Sequence, residues 1–267
     1  SFCTLLGSLA SPMAATTTAP SPRLPFGLTQ DQLRNELYTA WRKDSREPQS
    51  AESYKRYRGF ADTGFREKEV VIRRQDVGIN FALCLSSLLS RSNVAKIDLY
   101  GNALHDSGAE AIAHLLREAP ALTHLNLGAN DIGAMGITAL APVIAAHKKL
   151  QVLVLGSSSG ADQRVNRVDP ACAKILLEAC TRCKTLKWLD LNRNPLGRGS
   201  QEAFVALKQF IAASPNLQVL KLGETEITTE SALAVVDAVR RSPSVSELHL
   251  HGNRLHARVG EALGHMM

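Results

Sequence analysis

One pattern of leucines recurs along the C-terminal three quarters of the chain. The motif Leu-x-x-Leu-x-Leu, or a copy with valine or isoleucine substituted, occupies residues 94–99, 122–127, 150–155, 186–191, 217–222 and 245–250. Its last leucines are spaced by 28, 28, 36, 31 and 28 residues. This alternation predicts short strands whose apolar side chains face one side. A degenerate copy at Val70–Ile72, 27 residues earlier, brings the number of repeats to about seven.

A turn and an amphipathic helix are predicted after each strand. Asn102, Asn130 and Asn194 stand three residues after the last leucine, where an amide side chain bonds the backbone of a sharp bend. Ser158 and Thr225 stand at this position in two copies, so those bends are expected to be held differently. In the second copy, the apolar stripe of the helix consists of Ala111, Ile112, Leu115 and Leu116.

Neither a strand nor a helix of one repeat buries its apolar face alone, so the copies are expected to stack. The leucine motif, its period and the helix placement resemble the ribonuclease-inhibitor-like subclass of leucine-rich repeat proteins. The resemblance implies an α/β solenoid over residues 67–267, with parallel strands on a concave face and helices on a convex face. Most members of that family bind macromolecules on the concave face, and one relative is a GTPase activator.

Residues 1–66 lack the repeat and are predicted to form an extended arm with one amphipathic helix at about 29–43. Thr29 and Gln32 form a capping box, and Leu33, Leu37 and Trp41 form an apolar stripe. The first 30 residues contain no acid, one base, and many Ser, Thr, Ala and Pro residues. Such a composition is typical of an organelle transit peptide remnant and also of a plain disordered tail.

The arm also contains a segment in which bases and aromatic residues alternate: Tyr54, Lys55, Arg56, Tyr57, Arg58 and Phe60. One interpretation places this segment on RNA or on an acidic protein such as tubulin, through charge and ring stacking. The other interpretation packs the rings against the neighbouring domain while the bases stay in water.

The residues between the buried leucines are expected to face the hollow of the solenoid. Around the middle strands they form a candidate protein-binding surface with an exposed tryptophan: Tyr100, Val152, Val154, Trp188, Asp190, Asn192, Val219 and Lys221. A tryptophan among valines is typical of an interaction hot spot. A partner, the arm or an insertion is expected to cover this surface; the alternative is a bare patch.

The spacing of 36 residues indicates an insertion of about eight residues after the third full strand, in the bend at 157–169. Insertions on one rim of a solenoid are often binding loops, although a tolerated surface loop explains the same observation. Arg164 and Arg167 are the candidates in this rim loop for binding a carboxylate or a phosphate.

No known catalytic or phosphate-binding motif is present, so no catalytic residue, metal, cofactor or small-molecule substrate is predicted. Cys180 and Cys183 fit buried positions better than a metal site, because no second pair has matching spacing. Glu247, His249 and His251 share one strand face and are interpreted as polar surface rather than a metal site.

The 267 residues carry 31 bases and 25 acids, a formal charge of +6, which suits acidic partners without establishing nucleic-acid binding. No apolar run reaches the length of about 18 residues that spans a membrane. Five cysteines without a framework spacing indicate an intracellular, reducing compartment. The Ser-rich start favours the mitochondrion over the cytoplasm or a ciliary axoneme.

Together these features predict a non-enzymatic scaffold or adaptor that binds other proteins of a large assembly. An organellar ribosome, another ribonucleoprotein and an axoneme all suit the mild positive charge. The alternative function is a GTPase activator of the leucine-rich repeat type, for which Arg164 and Arg167 are the candidate rim arginines.

Overall fold

The computed structural model describes residues 29–158 and 164–264. The helices are α1 (Gln30–Ser45), α2 (Ala51–Gly64), α3 (Ile79–Leu89), α4 (His105–Glu118), α5 (Ala134–Ala146), α6 (Pro170–Arg182), α7 (Glu202–Ala213), α8 (Thr229–Arg240) and α9 (Ala257–Gly264). The strands are β1 (Phe65–Arg66), β2 (Glu69–Val71), β3 (Lys96–Asp98), β4 (His124–Asn126), β5 (Val152–Val154), β6 (Trp188–Asp190), β7 (Val219–Lys221) and β8 (Glu247–His249).

All eight described strands form one sheet in chain order, and β2 to β8 are parallel. Each strand pairs with the next without a slip, so the middle residues Ile97, Leu125, Leu153, Leu189 and Leu220 align. The leucines that end the motifs are buried, from Leu99 to Leu250. The predicted α/β leucine-rich repeat solenoid is therefore confirmed.

Asparagines hold the bends as the sequence predicts. Asn102 donates its side-chain amide to the carbonyl oxygens of Ile72 and Leu99 and accepts the backbone N–H groups of Gln75 and Val77. These bonds tie one bend to the previous repeat. They also satisfy backbone groups that the turn leaves unpaired in the interior.

In the repeat with the insertion, Asn166 rather than Ser158 holds the bend. Asn166 donates to the carbonyl oxygens of Leu127 and Leu155 at 2.9 and 2.8 Å, and it accepts the N–H of Asn130. The insertion therefore lies between Leu155 and Asn166, and the bend itself is regular.

Thr225 stands at the bend position of another repeat in place of asparagine. Its hydroxyl donates a hydrogen bond to the Leu222 carbonyl, so this bend is held differently, as the sequence predicts.

The N-terminal region differs from the predicted extended arm with one helix. Residues 51–64 form a second helix, α2, and β1 adds an antiparallel strand to the sheet beside β2. The side chains of Leu37, Trp41 and Tyr57 are fully buried in the core that the repeats share. Burial of these apolar side chains is more favourable than their exposure to water in an extended segment. The core therefore continues across the predicted boundary at residues 66 and 67.

Candidate functional site

The concave face, which is the sheet face opposite the helices, contains a cavity of about 700 Å³ between β2 and β7. Val152, Val154 and Trp188 supply its apolar lining, and all three side chains are half-buried. Trp188 is thus less open than the exposed tryptophan that the sequence predicted. Val219 is only 6% exposed and contributes little contact surface.

Glycines after the strands make room for this cavity. A Cβ atom at Gly156 would lie 2.2 Å from a carboxylate oxygen of Asp190 and 2.6 Å from the backbone nitrogen of Asn192. At Gly128 it would lie 2.1 Å from the carbonyl oxygen of Gly156. Because real Cβ atoms do not approach so closely, only glycine fits these two positions. The resulting depression lies between Tyr100 and Asn192, which also line it.

Charged residues from neighbouring strands pair along the cavity. Arg73 donates two hydrogen bonds to Asp98, whose side chain is buried, and Lys96 lies 3.5 Å from a carboxylate oxygen of Glu69. The ammonium nitrogen of Lys221 lies 4.5 Å from the centroid of the Trp188 ring, a cation–π contact. The pairing leaves the cavity polar at its rim and apolar at its centre.

Asp190 and His124 have shifted acidities. Burial raises the pKa of Asp190, and the N–H of Asn192 and the charge of Lys221 offset part of that rise. Burial lowers the pKa of His124, and the nearby charge of Lys96 adds to this effect. Both shifts follow from the partial exclusion of water from the cavity.

Comparison with known proteins shows which proteins this chain resembles in sequence. The leucine-rich repeat family model matches residues 92–113 and 120–141. The ribonuclease inhibitor of Sus scrofa is 29% identical over 221 residues, which are 73% of this chain and 47% of the relative. The ribonuclease inhibitor of Mus musculus is 26% identical over 208 residues, 68% of this chain and 45% of the relative.

The chain contains leucine-rich repeats that are similar in sequence to those of the ribonuclease inhibitors. It spans about half the length of the curated relatives that it matches. A solved structure titled "Leiomodin-1 Actin-Binding Site 2 (ABS2)" is 17% identical, covers 79% of this chain and 87% of its own, and aligns with a TM-score of 0.39. A TM-score this low supports no conclusion about function.

The two arginines of the rim loop contact carboxylates of their own chain. Arg164 lies 3.2 Å from a carboxylate oxygen of Asp76, and Arg167 lies 2.6 Å from one of Asp131. The predicted role of both arginines in gripping an external carboxylate or phosphate therefore competes with these bonds. As the candidate rim arginines of the GTPase-activator alternative, both side chains would have to leave these carboxylates to reach an external nucleotide.

The start of the insertion closes one side of the cavity. The hydroxyls of Ser158 and Tyr100 are 2.8 Å apart, the Ser158 N–H donates to the Tyr100 hydroxyl, and Arg193 donates to the Ser158 carbonyl. Tyr100, predicted as a contact residue, thus also anchors the loop. Sequence reasoning missed this link because it joins residues 58 positions apart in the chain.

The aromatic residues predicted as arm contacts turn inward. Tyr57 is fully buried and donates its hydroxyl to the carbonyl of Arg34 at 2.7 Å, while Tyr54 and Phe60 are half-buried against the core.

Of the interleaved bases, Lys55 is exposed, Arg56 pairs with Glu47, and Arg58 pairs with Asp62. The structure therefore matches the packing interpretation, in which the three rings of this segment pack on the neighbouring core.

The four cysteines in the described part of the chain are buried or half-buried free thiols. Cys180 and Cys183 are buried, and burial raises the pKa of Cys172 to about 12 and that of Cys84 to about 11.

Among the described residues, no group of three or more His, Cys, Asp or Glu side chains is arranged to hold a metal ion. Nor does any helix in that part of the chain have the length and apolar character to span a membrane.

Proposed function

We propose that the protein is a non-enzymatic scaffold that binds another protein in the concave cavity. The observation that carries this proposal is the cavity itself, where a half-buried tryptophan and two valines lie within a rim of charged and polar groups. An apolar centre with a polar rim is the usual anatomy of a protein-binding surface. The name of the relatives, ribonuclease inhibitor, also describes proteins that act on another protein.

A site-specific photocrosslinker tests the location of binding. A benzophenone side chain replaces Lys96 on the cavity rim in one variant and Val205, an exposed residue of convex helix α7, in the matched control. After irradiation in native extract, the rim variant is expected to form a discrete protein adduct, and the control is not. Equal adducts from both positions would argue against the concave site.

Trp188→Ala makes the same test quantitative. With the partner recovered from the adduct, this change is expected to weaken binding by about tenfold or more, as the removal of a hot-spot tryptophan does. Val205→Ala on the convex face serves as the control and should leave the dissociation constant unchanged. An unchanged dissociation constant for Trp188→Ala contradicts the proposal.

A place in a large assembly is a finer proposal, supported by the sequence. The charge of +6 and the exposed Lys55 suit an acidic partner such as a ribonucleoprotein or an axonemal protein. The mitochondrial location stays a prediction from the N-terminal composition. Sedimentation of tagged protein with or without such an assembly, followed by extraction with increasing salt, tests this proposal.

A further inference from the structure

Two aspartates occupy the same position of the repeat on the concave face. Asp98 ends β3 and Asp190 ends β6. In both, one carboxylate oxygen accepts the backbone N–H two residues later, from Tyr100 at 3.2 Å and from Asn192 at 3.0 Å. The backbone therefore presents both carboxylates in the same way.

The two sites differ in the residue that the preceding repeat supplies. Beside Asp98 this residue is Arg73, whose Nε and Nη2 atoms both donate to one carboxylate oxygen. The corresponding residue beside Asp190 is Gly156, which has no side chain. Within the described residues, the second oxygen of Asp190 accepts no hydrogen bond and the carboxylate forms no ion pair. The Asp190 site is thus the Asp98 site without its guanidinium group.

A second acceptor without a partner lines the same cavity. Ser157 is only 4% exposed, and its hydroxyl oxygen has no hydrogen-bond partner among the described residues. An unsatisfied buried hydroxyl is costly, and it is found where a ligand or water completes its bonds. The Trp188 ring, in the register position two residues before Asp190, lines the same cavity and has Lys221 in contact with its face.

We propose that this place receives an arginine side chain of the protein partner. The guanidinium group would stand beside Asp190 as Arg73 stands beside Asp98. This inference rests on the proposed protein-binding function of the concave face. A guanidinium has five N–H donors and no acceptor, which matches the second oxygen of Asp190 and the hydroxyl oxygen of Ser157, and its plane stacks on aromatic rings.

The unpaired oxygen of Asp190 favours a cation over an anion at this place, although four cations and two carboxylates line the cavity as a whole. All four cations have contacts within the protein: Arg73 binds Asp98, Arg74 lies over the Tyr100 ring, Lys96 lies near Glu69, and Lys221 lies over the Trp188 ring. Asp190 is the lining carboxylate without a cation in contact. Lys221, from the adjacent strand, opposes an incoming cation, and its removal is expected to strengthen binding.

Small amides of amino acids test the recognition directly, without the partner. The probe is acetyl-arginine methylamide, and its neutral isostere is acetyl-citrulline methylamide. The chain has two tryptophans, so its indole N–H signals in a ¹H–¹⁵N NMR spectrum report on two places. Trp188 lines the cavity, whereas Trp41 is buried in the N-terminal core and donates its N–H to the Gln75 carbonyl.

We expect the arginine probe to shift the Trp188 signal saturably and to leave the Trp41 signal in place. The citrulline probe should bind about tenfold more weakly or worse, because a hydrogen bond to a charged group is lost. Asp190→Asn should weaken arginine binding similarly, and Lys221→Met should strengthen it. Asp237→Asn on convex helix α8, which removes a surface ion pair with Arg241, is the matched control and should change nothing.

Equal binding of arginine and citrulline by the unaltered chain would overturn the inference, whether or not Asp190→Asn folds. A saturable shift with acetyl-glutamate methylamide in place of the arginine probe would also overturn it, in favour of an anion site. If the rim variant forms an adduct but the arginine probe does not bind, the arginine site is contradicted and the proposed protein-binding function stands. If the Lys96 photocrosslinking variant forms no adduct while the arginine probe still binds, the result would instead count against the proposed function.

Discussion

The first and the last described repeats are covered to different extents. At the N-terminal end, Val70, Ile72 and Val77 of the first repeat are no more than 1% exposed, because α1, α2 and β1 cover them. At the C-terminal end of the described residues, Leu248 and Leu255, at the positions of Val70 and Val77, remain half-buried. The same leucine-rich pattern therefore gives full burial only where another element covers it.

This difference explains why the first repeat is the least regular in sequence. Each repeat of a solenoid is stabilised mainly by its neighbours, so a weak repeat depends on what covers it. Trp41 supplies a large buried ring and a hydrogen bond to the Gln75 carbonyl at 2.8 Å. Val70 and Val77 are fully buried at the N-terminal end, because α1 and α2 supply contacts that a preceding repeat would otherwise supply.

The largest predicted effect removes one of those contacts. Trp41→Ala is expected to lower the free energy of unfolding by about 3–5 kcal/mol, the usual cost of truncating a buried large aromatic residue. Leu255→Ala, at the less covered end, should cost less than half as much, since part of that side chain is already in water. Urea denaturation followed by circular dichroism measures both.

Trp41→Phe separates packing from hydrogen bonding, because it keeps a ring and loses the N–H donor. It should cost about 1–3 kcal/mol, the cost of leaving the Gln75 carbonyl without its partner. Similar decreases in the free energy of unfolding for Trp41→Ala and Leu255→Ala would show that the two ends are equally stabilised. That result would contradict the expected difference between them.

The bend asparagines sharpen the same comparison at the level of hydrogen bonds. Asn102 is fully buried and bonds five backbone groups, so Asn102→Ala should cost about 2–3 kcal/mol. Asn253 makes analogous bonds to Thr225, Leu222 and Leu250 but is half-buried. Asn253→Ala should cost about 1 kcal/mol, because water replaces part of what is lost.

Urea titration of the two asparagine variants measures this difference. Asn216→Ala, which removes an exposed amide that bonds only the Lys184 carbonyl, is the matched control and should be close to neutral. Equal losses for Asn102→Ala and Asn253→Ala would mean that burial does not decide the strength of the bend.

The sequence predicted the repeats well because each leucine must be buried and therefore marks one strand. The period that locates strands does not locate the bend after an insertion. Asn166 was missed because the distance was counted from Leu155, yet Asn166 and Asn194 are 28 residues apart, and that spacing was a signal. Counting back from the next repeat finds the right asparagine.

The N-terminal cap and the cavity were less accessible to sequence reasoning. Tyr54, Tyr57 and Phe60 recur every three residues, which fits a helix, but the bases between them suggested an open surface. Burial of the rings depends on α1 and on the first repeat, which no local pattern shows. The cavity depends on the absence of side chains at Gly128 and Gly156, and its charge depends on pairs formed between repeats.

A smaller effect is predicted at the helix termini. The carboxylate of Asp44, from α1, accepts the N–H groups of Gly78, Asn80 and Phe81 at the start of α3. Asp44→Ala should cost about 1–2 kcal/mol, as the loss of a helix cap does. At the other end, Thr228 accepts one N–H at the start of α8, and Thr228→Ala should cost about 0.5–1 kcal/mol.

Native-state hydrogen exchange distinguishes these two caps, because each change should release amides of its own helix first. Asp44→Ala should accelerate exchange in α3 and leave α8 protected, and Thr228→Ala should do the reverse. Uniform acceleration along the chain would show that the two ends open together, contrary to the comparison.

The last effect depends on pH and lies midway between the two ends. His147 is buried, its Nε2 atom lies 3.2 Å from the Ala119 carbonyl oxygen, and its Nδ1 accepts the N–H groups of Lys149 and Leu150. Burial lowers the pKa of His147 below its ordinary value of about 6.5. Below pH 6.5 the unfolded chain therefore binds a proton that the folded chain does not.

Stability should consequently be independent of this group above about pH 6.5 and fall as the pH decreases, by at most about 1.4 kcal/mol per pH unit for one proton. His147→Gln should be less stable at neutral pH and should lose less stability between pH 6.5 and 5. His124, whose pKa is also lowered, contributes to both proteins, so the difference between their urea midpoints isolates His147. Because His147 lies between α5 and β5, acid should loosen the central repeats before either end, and parallel pH profiles for the two proteins would contradict its role.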